Sequence, residues 1–221
     1  MKIRDEALAP WPRTPEVVRE HIAAYYAMIT HVDYHMGRVL KALDESGHAG
    51  NTIVVFSADN GLAVGQHGLL GKQNLYEHSM RVPLVIGGAG LPRGKRTDAY
   101  AYLYDLFPTL CDLTGTATPD TVEGSSLAPV IRGHKDKVRD SMFSAYRTCQ
   151  RAVKDGRYKL IRYNVNGART TQLFDLQEDP LEMRNLAGDA GQKHRIGGLN
   201  RLLGDWMRKT EDIAPVSDFV A

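Results

Sequence analysis

The stretch TIVVFSADNGLAVGQHGLLGK, residues 52–72, decides the fold, because a strand-forming run passes directly into a loop of polar side chains. Residues 52–56 are all β-branched or aromatic, which is typical of a central strand of a parallel sheet, buried on both faces. A second apolar run, RVPLVIGG at residues 81–88, predicts another short strand. In open α/β sheets, ligands bind beyond the carboxyl ends of the strands, and Asp59 and Asn60 follow the first run there.

The loop carries side chains that suit a divalent cation and an anion. Asp59 and Asn60 offer hard oxygen ligands, which favour Ca²⁺, with Mg²⁺ as the less favoured ion. Two ligands do not complete a calcium site, which takes about six to eight oxygens. His67 and Lys72 would add positive charge beside the cation and so stabilise an anion. The alternative is a glycine-rich surface loop with an ordinary Asp-Asn-Gly turn and a solvated lysine.

The segments on either side predict helices. Residues 11–47 are expected to form a helix, with Thr14 as the N-cap, Pro15 at the first helical position and an apolar stripe that would be buried. Asp33 falls on that stripe, where a buried carboxylate would need hydrogen bonds or a cation. Residues 101–115, AYLYDLFPTLCDLTG, predict a second helix that ends at Gly115.

The C-terminal third predicts an antiparallel meander followed by a helix. Short strands are expected at residues 140–146, 151–163 and 171–180, with an Asp-Gly hairpin turn inside KDGRY at 154–158. A last helix is expected from about Gly197 to Thr210. The chain is therefore predicted to be α/β, with a domain over residues 1–135 and a small α+β subdomain over 136–221.

Composition narrows the function classes. The formal charge of +2 gives no electrostatic case for binding nucleic acid, which needs a strongly basic face. No apolar run approaches the roughly 20 residues of a membrane span, and the first residues show no signal-peptide pattern. The two cysteines lack zinc-ligand spacing. Cys111 is expected to be a small buried hydrophobe, and a Cys111–Cys149 disulfide is the alternative.

Residues 52–86 closely resemble the sulfatase family, in which an Asp-Asn pair binds calcium and a G-x-H-G-x-x-G-K loop reaches the sulfate. The resemblance includes YYAMITHVDYHMGRVLKAL, DLFPTLCDLTG, VEGSSLAPVIRG and GRYKLIRY…QLFDLQEDPLEMRNLA, and so covers nearly the whole chain. It implies the alkaline-phosphatase-like fold, a mixed sheet flanked by helices with a small C-terminal antiparallel sheet and a helix. It also implies Asp59 and Asn60 as calcium ligands, Lys72 as the catalytic group on the sulfate ester and His67 as a sulfate-pocket residue.

The motif for the family's nucleophile is missing. Members of the family use a formylglycine made from the first residue of C/S-x-P/A-x-R, and neither Cys111 nor Cys149 begins such a motif. The nearest serine frame, SLAPV at Ser126, has Val130 in place of the arginine. The early Asp-Asp calcium pair is absent too. We therefore expect the chain to match only the C-terminal half of a sulfatase, to self-associate through an unpaired strand and to lack turnover alone.

Several interpretations stay open. His78 is a candidate for substrate contact, while Glu77 and Arg81 either approach the substrate or form an ion pair that holds the loop. The acidic DLQEDP at 175–180 is expected to be a turn, because it lacks EF-hand spacing. The expected substrates are glycan or aryl sulfates. The alternatives are a phosphate or phosphonate ester hydrolase on the same scaffold, or a non-catalytic calcium- or anion-binding remnant. The resemblance implies a periplasmic or secreted whole protein, and the sequence itself assigns no location.

Overall fold

The computed structural model describes residues 7–220, and the helices and strands in that range confirm the α/β fold class. The helices are α1 (Pro15–Glu45), α2 (Glu77–Met80), α3 (Leu106–Thr114), α4 (Ala128–Ile131) and α5 (Lys193–Lys209). The strands are β1 (Ile53–Ser57), β2 (Leu84–Gly88), β3 (Met142–Tyr146), β4 (Gln150–Lys154), β5 (Tyr158–Val165) and β6 (Ala168–Asp175). They form two sheets, β1–β2 and β3–β4–β5–β6.

Helix α1 begins as predicted but buries no side chain. The Thr14 hydroxyl accepts a hydrogen bond from the Val17 N–H, and Pro15 occupies the first turn, so both start signals are confirmed. The predicted buried stripe is wrong within the described residues, since Tyr26 is 64% exposed and Asp33 lies in solvent. The physical reason is that residues 7–220 place no packed layer over this face. An amphipathic stripe indicates that a helix packs against some apolar surface, but it does not identify that surface.

Strands β1 and β2 pair antiparallel, which corrects the prediction of a parallel strand buried on both faces. The register places Val55 opposite Ile86, and the Ser57 hydroxyl donates to the Pro83 carbonyl at 2.9 Å just past the end of the pair. Val85 on β2 remains 59% exposed. The loop and the short helix α2 lie between the two strands. Together they reverse the direction of the chain, so β2 runs back beside β1. The apolar run of β1 thus marks a half-buried strand in a two-stranded sheet.

The predicted C-terminal meander and its closing helix are confirmed. Strands β3 to β6 are all antiparallel neighbours, and Asp155 and Gly156 form the predicted hairpin turn with Gly156 at φ +85°. Helix α5 begins at Lys193, four residues earlier than predicted. It packs Leu199, Leu203 and Met207 against one face of the sheet. The other face of the sheet receives side chains from the loop that precedes α2.

The segment between the two sheets is joined to the meander by a buried ion pair. Helix α3 begins later than predicted, after a short 3₁₀ turn at Leu103–Asp105, and ends at Gly115 as predicted. The fully buried Asp105 carboxylate accepts two hydrogen bonds from Arg139, at 2.5 and 2.7 Å. Cys111 and Cys149 are both buried and free, so the disulfide alternative is wrong and the packing role of Cys111 is confirmed.

The described helices include none with the length and apolar character to span a bilayer. The division at residue 135 stays a prediction.

Candidate anion-binding loop

The polar loop after β1 folds as a tight backbone hairpin. The Ala63 N–H donates to the Gly71 carbonyl at 3.0 Å, and the Gly65 N–H donates to the Leu69 carbonyl at 2.7 Å. Gly65 has φ +103°, and a Cβ there would lie 2.3 Å from a methyl carbon of Val18. Glycine is required at this position by both conformation and space. The hairpin places Lys72 at its base, beside the end of β1, and His67 at its tip.

The base of the hairpin brings Lys72 together with Asp59 and Asn60. The Lys72 ammonium donates to Asn60 Oδ1 and lies 3.7 Å from Asp59 Oδ2. Gly61 holds these residues against α2, since its N–H donates to the Ser79 carbonyl at 2.9 Å and a Cβ would lie 2.0 Å from the His78 carbonyl oxygen. Three of the five predicted site residues therefore converge at the end of β1.

The two oxygens fit part of a calcium site. A carboxylate and a side-chain amide are ligands of the right chemistry, and a cationic group already contacts both. The Asp59 side chain is 83% exposed, so one side of it is open. Over residues 7–220, no group of three or more histidine, cysteine, aspartate or glutamate side chains is arranged to hold a metal ion. Asp59 and Asn60 would therefore be two ligands of an ion whose other ligands lie elsewhere.

The tip of the hairpin forms an aromatic cluster with two histidines. The ring of His67 stacks on Tyr76 with centroids 4.0 Å apart, and the His78 ring lies 5.7 Å from His67 and 5.6 Å from Tyr76. His67 Nε2–H donates to the Leu181 carbonyl at 3.1 Å. A carbonyl only accepts, so Nε2 carries a proton in this contact. His67 adopts φ +55°, a left-handed conformation rarely taken by a side-chain-bearing residue.

A buried charge network fixes α2 to the meander and confirms the ion-pair interpretation for Glu77. Lys159 lies 3.0 Å from Glu77 and 2.8 Å from Glu182, and Lys154 lies 2.9 Å from Glu77. The Glu77 N–H also donates to Glu182 at 2.5 Å. Burial acts to raise the pKa of Glu77, but the two ammonium groups outweigh it and hold that pKa below its usual value. Burial raises the pKa of Glu182, with Lys159 opposing.

The role of the residues after the acidic turn in holding His67 and α2 was missed in the sequence. The acidic DLQEDP segment is a turn, as predicted, in which Asp175 accepts hydrogen bonds from Arg157 at 2.5 to 2.9 Å. Leu181 and Glu182 follow it directly, and Glu182 adopts φ +58°. Leu181 acts through its backbone carbonyl, so no pattern of side chains in the sequence could predict its role. An isolated acidic residue near a turn likewise resembles a solvated charge.

Two family models match this chain. A model described as sulfatase matches residues 5–116, and one described as N-sulphoglucosamine sulphohydrolase, C-terminal, matches residues 65–209. The chain belongs to the sulfatase family. The two matched ranges overlap across the hairpin, so the loop with Lys72 and His67 falls within both.

The alignments with sulfatase relatives cover most of this chain but less than half of each relative's length. A sulfatase of Formosa agariphila is 32% identical over 206 residues, 92% of this chain and 40% of that protein. A Δ4,5-hexuronate-2-O-sulfatase of Bacteroides thetaiotaomicron is 34% identical over 209 residues, 89% of this chain and 43% of that protein. The chain therefore spans about two fifths of the length of the curated relatives it matches.

Solved structures agree on the fold. A putative sulfatase from Bacteroides thetaiotaomicron superposes with a TM-score of 0.81 at 33% identity, covering 90% of this chain and 45% of that one. A phosphonate monoester hydrolase of Agrobacterium radiobacter gives 0.76 at 29% identity, covering 89% and 43%. The scaffold is thus shared by a putative sulfatase and a phosphonate monoester hydrolase.

Proposed function

We propose that this sulfatase-family chain supplies the calcium- and sulfate-binding loop of a sulfuric ester hydrolase that acts on glycan or aryl sulfates. The observation that carries the proposal is the convergence of Lys72 with Asp59 and Asn60 at the end of β1. The names of relatives support this substrate class, since they include arylsulfatases and glycan sulfatases.

In this proposal the base of the hairpin provides the charged groups. Asp59 and Asn60 would hold calcium, and the bound ion would supply positive charge that orients and polarises the sulfate group. The Lys72 ammonium donates to the ester oxygen and stabilises the negative charge that develops there as the sulfur–oxygen bond breaks. Lys72 lies at the same loop base as the two proposed calcium ligands, so its ammonium is next to the place where a bound sulfate would lie.

The tip of the hairpin lines the sulfate pocket. His67 is held by the Leu181 carbonyl through Nε2, so its Nδ1 is the ring nitrogen that would hydrogen-bond the substrate. The cluster of His67, Tyr76 and His78 is compact enough for His78 to contribute a second imidazole to the same wall.

The chain contains no C/S-x-P/A-x-R motif, so it brings no formylglycine precursor of its own. We therefore propose that the nucleophile and the remaining calcium ligands come from outside this chain, and that the chain alone binds ligand without turnover. The same observation favours a second candidate, a calcium- or anion-binding module without catalysis. A third, phosphonate ester hydrolysis, has the support of the shared scaffold, while the Asp-Asn pair favours sulfate.

The test measures binding and turnover separately on the purified chain. In calorimetry, Asp59→Ala should weaken the binding of Ca²⁺, and Lys72→Met should weaken the binding of 4-nitrophenyl sulfate. Lys137→Met, which alters an exposed lysine 2.5 Å from Asp140, should bind both ligands like the parent chain and serves as the control. Hydrolysis of 4-nitrophenyl sulfate by the purified monomer would refute the absence of turnover. Equal binding of 4-nitrophenyl sulfate by the Lys72 variant and the parent would refute the assigned site.

A further inference from the structure

A groove beside the hairpin is built differently from the charged site at its base. It lies between residues 69–76 and the distal part of the meander face opposite α5, with a volume of about 410 Å³. That volume falls within the range of small-molecule pockets, roughly 300 to 1,000 Å³. Of the described residues that line it, none is charged, and its polar groups are side-chain amides and hydroxyls. The lining therefore offers no full charge to attract a sulfate or an ammonium group, and it suits a neutral polar ligand.

The sheet register explains how these side chains come together. Gln150 on β4 lies opposite Tyr163 on β5, which lies opposite Thr170 on β6, so the three form one row across the sheet. The next row on the same face, two residues along each strand, contains Gln172 and carries the pattern toward the hairpin. The groove is thus set by three hydrogen-bonded strands, which hold its polar groups at fixed spacing.

One acceptor in the groove has no protein partner. Gln150 Oε1 is buried and lacks a hydrogen-bond partner among the described residues. By contrast, the Gln172 amide oxygen accepts from the hydroxyls of Tyr76 and Tyr163, at 3.0 and 3.1 Å. A buried acceptor without a partner is costly. Rotation of the Gln150 amide toward the groove would expose this oxygen and let it accept a hydrogen bond from a ligand there. The matching ligand group is a neutral donor such as a hydroxyl.

We propose that this groove binds a neutral sugar residue. Sugar hydroxyls both donate and accept, and side-chain amides offer two donors and an acceptor, so the two sets of groups are complementary. The partly exposed ring of Tyr163 supplies an apolar face for the carbon side of a sugar ring while its hydroxyl stays hydrogen-bonded to Gln172. An extended peptide could also hydrogen-bond the side-chain amides. However, its regularly spaced backbone N–H and C=O groups would find no backbone partners here, because the backbone groups of the sheet already bond to neighbouring strands.

Tyr76 connects the groove to the proposed sulfate pocket. One face of its ring stacks on His67, and its hydroxyl hydrogen-bonds Gln172 in the groove. A saccharide in the groove would therefore lie next to a sulfate held at the hairpin, and the groove would contact the part of the substrate that carries no sulfate. This placement rests on the proposed function, whereas sugar binding itself does not.

The experiment is saturation-transfer difference NMR on the full chain, with cellobiose, lactose, maltose and N,N′-diacetylchitobiose as probes. Saturation transfer to at least one disaccharide is expected, and titration gives its Kd. Gln150→Leu should weaken that binding about five-fold, the effect of losing one hydrogen bond, and Thr170→Val tests the same row with a milder change. Gln177→Leu, at an exposed glutamine outside the groove, is the matched control and should bind like the parent.

Two results would overturn the proposal: no transfer to any disaccharide, or equal Kd values for the parent, Gln150→Leu and Thr170→Val. Tighter binding of an uncharged tetrapeptide than of every disaccharide would also overturn it, in favour of a peptide groove. Lys72→Met separates this outcome from failure of the sulfate site. It should weaken the binding of 4-nitrophenyl sulfate while disaccharide binding persists, so either site can fail without the other.

Discussion

Lys159→Met should destabilise the chain strongly, because it removes a buried cation from between two carboxylates. Lys159 is 4% exposed and lies 3.0 Å from Glu77 and 2.8 Å from Glu182, whose side chain is 1% exposed. Glu77 retains Lys154 after the change, but Glu182 keeps no cation within contact distance among the described residues. Removing one partner of a buried ion pair costs about 3 to 5 kcal/mol, because the other charge is left buried without compensation.

The pH dependence of that cost identifies its cause. Burial already raises the pKa of Glu182, and losing the Lys159 ammonium should raise that pKa further. A carboxyl whose pKa is raised on folding contributes stability below its unfolded pKa, about 4.3, and loses that contribution as the pH rises through the folded value. The destabilisation by Lys159→Met should therefore be full at pH 7 and smaller near pH 4, where Glu182 takes up a proton.

The assay is urea unfolding followed by the fluorescence of Trp206, which packs against the core of the meander and α5. The double variant Lys159→Met/Glu182→Gln should be more stable than the sum of its two single variants, because it leaves no uncompensated charge. Lys137→Met is the control for loss of an exposed lysine and should leave the unfolding midpoint unchanged. A cost that is independent of pH, or additive single variants, would refute the reasoning.

Three other outcomes are expected. Lys72→Met should tighten Ca²⁺ binding about two- to five-fold in calorimetry, because the Lys72 ammonium competes with Ca²⁺ for the oxygens of Asp59 and Asn60. That contact is partly exposed and is worth about 0.5 to 1 kcal/mol. Weaker Ca²⁺ binding by the variant would contradict this. We expect the exposed apolar stripe of α1 to contribute to self-association as well as the unpaired strand, so Ile29→Lys should shift the chain toward monomer in sedimentation velocity. Ala27→Lys, on the opposite side of the helix, should not. Hydrogen bonds from Arg157 lower the pKa of Asp175 to about 2, so its contribution to stability is present above pH about 3.9 and lost as the pH falls through about 2. Asp175→Asn should remove that part of the melting temperature's acid dependence.

Local signals in the sequence predicted the local structure well. The Thr14–Pro15 start of α1 and the Asp155–Gly156 turn each depend on residues a few positions apart, and both are present in the structure. The same holds for the alternation in the meander, where each strand pairs with its neighbour in the chain. Such features are decided by nearby backbone geometry, so a single sequence contains the information needed to find them.

Features set by distant partners were predicted less well. The run at β1 was interpreted as a doubly buried parallel strand, but its neighbour β2 returns antiparallel after a hairpin and a short helix. Hydrophobicity reports that a strand has a packed environment, and it carries no direction. The stripe of α1 failed for a related reason, since its apolar side chains do not say which surface would cover them.

In the candidate site, too, the local features were predicted and the contacts between distant residues were not. Asp59, Asn60 and Lys72 were identified from residue type and family resemblance. They lie together because the hairpin closes on itself, and Asn60 and Lys72 are only twelve positions apart in the sequence. His67 is held by Leu181 across 114 positions, through a backbone carbonyl that any residue would provide. The identity of Leu181 is thus immaterial to this bond, and its position depends on the neighbouring Glu182, which Lys159 anchors. The residue types in a sequence indicate which side chains can contact a ligand. The residues that position those side chains act through backbone atoms and buried charges, so they can be identified only from the folded structure.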